Sequence, residues 1–109
     1  MAITSTQVKN SASVVQIAVG RYIDTGTAAA FTITIGFKPL FVEVLNCSSG
    51  DEYKWAHGMA AASAFKRVTA GTSSIITSLG ITQLSYGFTV GLDTDINVSS
   101  EQLTWVALG

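Results

Sequence analysis

His57 is the single histidine of the chain, so a metal site built on two imidazoles is excluded. A Ser-His-Asp arrangement needs only one imidazole, and His57 would supply it in a small hydrolase. No Gly-x-Ser-x-Gly turn is present, however, to raise a nucleophile above a strand. A lone histidine in a serine-rich chain of this kind is read as a surface or hydrogen-bonded structural residue. Asp93-Thr94-Asp95-Ile96-Asn97 opens like a calcium loop, with oxygen ligands at alternate positions. Its sixth position is Val98 instead of Gly and its twelfth is Thr104 instead of a bidentate Glu. The segment is better read as a turn whose carboxylates accept backbone N–H groups. Glu43, Glu52 and Glu101 are candidates for a carboxylate pair acting on a sugar, but nothing in their spacing joins two of them. Gly87-x-x-x-Gly91 lacks the strand–glycine–helix setting of a dinucleotide site, and no Walker-type lysine follows a glycine loop. No catalytic, cofactor-binding or metal-binding residue is therefore assigned, and an enzyme is not expected.

Other residues offer binding chemistry. Tyr22, Tyr53, Trp55, Tyr86 and Trp105 have faces on which a sugar stacks, but Trp55 and Trp105 sit at strand spacing, where core packing is the default. The adjacent pair Lys66-Arg67 is read as a solvated strand edge in preference to a phosphate clamp. Cys47 is the only cysteine, so no intrachain disulfide forms, and a small buried side chain is expected. Asn46-Cys47-Ser48 and Asn97-Val98-Ser99 match the glycosylation sequon. No basic segment followed by an apolar stretch marks a signal peptide, so both are read as chance and synthesis in a reducing cytoplasm is expected. No apolar run approaches the length of a membrane span.

The elements that must hold these residues are short and β-like. Met1 to Ser13 is polar, without periodicity, and is read as an extended N-terminal arm over 1–13 that orders against a partner. A single domain over 14–109 follows. In Ser13–Ile23, Val15, Ile17 and Val19 share one parity, with Gln16 opposite. Phe31, Ile33 and Ile35 alternate with Thr32 and Thr34, the pattern of a half-buried strand. Leu40–Asn46 is apolar on both parities except Glu43, which suits a strand with one face in the core and the other at a subunit contact, or both faces covered. Glu52–His57, Phe65–Thr69, Ser74–Ser78, Ile81–Ser85, Phe88–Leu92, Ile96–Val98 and Leu103–Leu108 are further predicted strands, and Met59–Ala64 is either a helical turn or a small-residue strand. Eight to ten strands at this spacing predict an all-β fold, an antiparallel β-sandwich of jelly-roll type.

Composition bears on function. Charged residues are 12% of 109, about half the usual share, and the mean hydropathy is +0.42. Ser, Thr, Ala and Gly stand in for the missing charge, and covering them desolvates no ion. Much of the surface is expected to be covered in use. A net charge of −1 and scattered Lys and Arg argue against a nucleic-acid partner, and none is expected.

Across about residues 36–108 the chain resembles the capsid decoration, or cement, proteins of bacteriophages. The resemblance rests on Gly36-Phe37-Lys38-Pro39 with the Val42–Asn46 strand, Gly50-Asp51, Trp55, Gly58-Met59-Ala60 and Gly80-Ile81-Thr82. It continues through Gly87-Phe88-Thr89-Val90-Gly91, Asp93, Asn97 and Leu103-x-Trp105-x-Ala107. It implies a β-sandwich, often a homotrimer, on the outer surface of an icosahedral capsid in the virion, stapling neighbouring major capsid protein subunits, and made in the host bacterial cytoplasm. It carries no catalytic residue. The alternative is a tail-fibre or baseplate module that recognises a host-surface glycan through exposed aromatics.

Overall fold

The computed structural model describes residues 15–109, and in these every regular element is a strand. The predicted arm lies outside the described residues. The eight strands are β1 (Ile17–Ile23), β2 (Phe31–Thr34), β3 (Phe41–Asn46), β4 (Glu52–Ala56), β5 (Ser63–Arg67), β6 (Ser73–Gln83), β7 (Gly87–Val90) and β8 (Gln102–Leu108). They form one hydrogen-bonded series, β1-β8-β3-β4-β5-β6-β7-β2, with every pairing antiparallel. The series curls on itself. Phe88 of β7 meets Trp105 of β8 edge-on at 5.4 Å, and the Tyr22 and Phe31 rings stack at 3.6 Å although β1 and β2 end opposite sides of the series.

Alternation explains the core. Val42 and Val44 of β3, Tyr53 and Trp55 of β4, Phe88 and Val90 of β7, and Leu103, Trp105 and Ala107 of β8 all point inward and are buried. The polar ends of the aromatics are satisfied there. Tyr53 Oη donates to Leu79 O at 2.9 Å, and Trp55 Nε1 donates to Ala60 O at 3.1 Å. On β1 the apolar parity faces outward. The inward side belongs to Ala18, Gly20 and Tyr22, because the Trp105 indole lies where a side chain at position 20 would sit.

Two expected strands, Ser74–Ser78 and Ile81–Ser85, are parts of the single strand β6. It bends at Leu79, whose φ is 62°, and the β5 register jumps there from Ala64↔Ile76 to Ser63↔Ile81. Ile96–Val98 is no strand. The Asp93 carboxylate receives the Asp95 and Ile96 N–H groups, winding these residues into a turn that buries Ile96 in the core. Of Met59–Ala64, residues 59–62 form a turn, with Ala62 at φ 62°, and Ser63 and Ala64 open β5.

Candidate functional site

The chemistry-bearing residues are dispersed. His57 is exposed in the turn after β4, its backbone N–H bonded to Leu40 O. Glu43 stands on the outer face beside Val106 and Lys54. Glu52 pairs with Arg67 at 3.1 Å and Lys54 at 3.7 Å, and Glu101 accepts from Asn46 Nδ2 at 2.9 Å. No two of the three glutamates share a site. Among the described residues no group of three or more His, Cys, Asp and Glu gathers to hold a metal. Gly87 and Gly91 serve close packing, since side chains there would strike the backbone of Ile33 and of Leu79. Both tryptophans are buried, Trp55 at 3% and Trp105 at 9% exposure, which withdraws them from stacking on a ligand; Tyr86 is exposed.

Asp93 and Asp95 form a cluster that the sequence splits from its partner. Lys66 of β5 reaches both, at 2.9 and 2.6 Å, so an ammonium occupies the position between the two carboxylates. Burial opposes the charge on Asp93, but the Asp95 N–H and the Lys66 ammonium outweigh it and hold the carboxyl below its usual range. Burial also works against the Lys66 charge, and the same two carboxylates reverse it and raise that pKa. Burial, with Asp93 adding to it, pushes the Tyr53 phenol far above its usual range. The cluster ties the loop after β7 to β5. Of the Lys66-Arg67 doublet, Lys66 is tied to two aspartates and half-buried, whereas Arg67 remains solvent-exposed beside Glu52. The sequon residues are internal too. Asn46 donates to Ile96 O and accepts from the N–H groups of Ser48 and Ser49, while Asn97 donates to Ala29 O.

Among the described residues, one sheet face has nothing packed over it. On the outside of β1, β8, β3 and β4, cross-strand register aligns Ile17, Leu108, Phe41 and Ala56 in one row. The next row is Val19, Val106, Glu43 and Lys54, and the third is Arg21, Thr104, Leu45 and Glu52. Ile23 and Gln102 begin a fourth, beside Cys47. Ile17 is 60% exposed, Val19 68%, Ile23 51%, Leu108 38% and Leu45 36%. Strand spacing gives this face roughly 14 Å across and 20 Å along. Cys47, expected to be buried, is exposed here with its sulfur 3.1 Å from Thr104 Oγ1, because odd positions of this segment point outward. The opposite run of strands differs: Thr32, Thr89 and Thr82 form its outward row, with the Thr32 and Thr89 hydroxyls 3.1 Å apart.

The sequence carried a signal for the apolar face. Leu40–Asn46 and Leu103–Leu108 are apolar on both parities, and one sheet face in the core leaves the other parity outside. Its extension onto β1 had no such signal, since a single apolar parity does not say which side it takes. Comparison with protein-family models, with curated proteins and with solved structures gives no match.

Proposed function

We propose that this chain is a virion structural protein that binds the outside of an icosahedral phage capsid and staples neighbouring major capsid subunits. The outer face of β1, β8 and β3 is its docking surface. The observation that carries this reading is that face itself: aligned apolar side chains, few charges, and nothing from the described residues packed over it. Large apolar patches on a domain of this size mark interaction sites. Covering each exposed Ile, Val or Leu contributes about 1 kcal/mol.

A jelly-roll-like sandwich is the form that we assign to the curled sheet. Its described part measures 45 × 35 × 18 Å. The thin dimension suits two layers about 10 Å apart with their side chains. In the strand order, β1 lies beside β8 at one end and β2 beside β7 at the other, and Tyr22 stacks on Phe31 between these ends. A rigid two-layered plate of this kind presents a flat face without rearranging. The N-terminal segment 1–13 adds contact area along a neighbouring subunit. The rival glycan-binding reading loses its main support, because Trp55 and Trp105 are buried.

The test uses shells purified from the encoding virus with this gene deleted. Purified wild-type chain should rebind them. The double variant Leu45→Ser and Leu108→Ser should stay folded, at a cost of about 1–3 kcal/mol because both side chains are more than half covered, and should lose at least about tenfold in affinity. Equal binding by the variant would exclude this face.

A further inference from the structure

Among the described residues, β1 is the long open edge of the sheet. Among the described residues its one strand neighbour is β8, and the register runs unbroken over seven pairs from Ile17↔Leu108 to Ile23↔Gln102. In an antiparallel ladder each residue turns its N–H and C=O to the same side, and the side alternates along the strand. The Gln16 carbonyl accepts from Gly109 N–H and the Asp24 carbonyl from Ser100 N–H, both on the β8 side. Even positions therefore face β8. Ile17, Val19, Arg21 and Ile23 turn their backbone groups to the open edge.

Exposed edges are normally blunted by proline, lysine, a bulge or shortness. β1 has none of these devices; Arg21 is its one charge. The other edge, β2, is four residues long and points threonines outward.

We propose that β1 pairs antiparallel with β1 of a second copy across a two-fold axis at Gly20. That register sets Ile17 opposite the second copy's Ile23, and Val19 opposite its Arg21. All the outward N–H and C=O groups then find partners, and no two arginines stand directly opposite. The register joins the two outer faces into one apolar surface running from β3 through β8 and β1 into the second copy. This continuity favours a second copy over any other occupant. One face alone covers roughly 300 Å² in projection, well short of the roughly 800 Å² that each partner of a stable complex buries. Two joined faces, at roughly 600 Å², halve the shortfall or better. An even-numbered assembly replaces the trimer that the resemblance implies.

The inference rests on the docking reading only for the use of the joined face; the pairing itself is tested on the isolated protein. Sedimentation equilibrium across a dilution series should give twice the 11.4 kDa chain mass. Val19→Lys sets a lysine against the partner's Arg21 and should weaken the dimer at least about tenfold. Adding Arg21→Glu to that variant sets opposite charges face to face and should restore it. Hydrogen exchange at positions 17, 19, 21 and 23 of the wild-type chain should slow as concentration rises, a readout that needs no variant. A monomer at every concentration, a trimer, or a dimer indifferent to Val19→Lys would overturn the pairing. Edge amides protected at all dilutions in a monomer would also overturn it, by placing residues 1–14 of the same chain on the edge. Leu45→Ser with Leu108→Ser reports on shell binding and leaves the mass unchanged, so failure of the pairing and failure of the docking are told apart.

Discussion

Leu79 holds a left-handed backbone, φ 62°, at the bend of β6, and its side chain is half exposed. A leucine there carries strain of about 1 kcal/mol that glycine or asparagine avoids. Its carbonyl is fixed by Tyr53 Oη, so the bend does not depend on the side chain. Leu79→Asn should raise stability by up to about 1 kcal/mol, measured by urea unfolding. Asp93 is the opposite case, a residue whose loss exposes a need. Asp93→Ala frees the turn N–H groups and half-strips Lys66, and should cost about 2 kcal/mol. Its lowered pKa fixes the pH dependence. The stabilisation is present above the unfolded carboxyl pKa, about 3.9, and is lost as pH falls through the lower folded value. Asp93→Asn should flatten this part of the stability-against-pH curve. The turn role of Asp93 was legible because an Asx turn is made within a few residues. Its partner Lys66, 27 positions away in sequence, was not, since only the strand order brings β5 beneath that loop.

Among the elements, strand existence was well marked in the sequence and strand outcome less so. Glu52–His57 alternates clearly, Leu103–Leu108 is apolar on both parities, and they form β4 and β8 nearly as expected. Ser74–Ser78 and Ile81–Ser85 read as two strands because Leu79-Gly80 looks like a turn between them, whereas the bend lets one strand serve β5 and then β7. Ile96–Val98 is β-branched and apolar, but side-chain bonds from Asp93 decide its shape over propensity. The facing of β1 also escaped local pattern. Gly20 permits Trp105 to lie against the strand, and that choice turns Ile17 and Val19 outward. Gly20→Val should therefore destabilise by about 1–3 kcal/mol in thermal unfolding, and it should shift Trp105 fluorescence by displacing the indole.

At the scale of the whole molecule, one sheet carries two outer surfaces of different character, the apolar rows on β1, β8 and β3 and the threonine row on β2, β7 and β6. Under the docking proposed above, the apolar rows would meet the partner and the threonine row water. Cys47 offers a native reporter on that face. A thiol reagent should modify it readily in the free protein and at least about tenfold more slowly on the shell. The most direct measurement is the density of the native particle by electron cryomicroscopy. The chain should lie on the outside of the capsid with Leu45, Val106 and Leu108 against the major capsid protein. A particle without the chain, or a chain seated with its threonine row against the shell, would contradict the account.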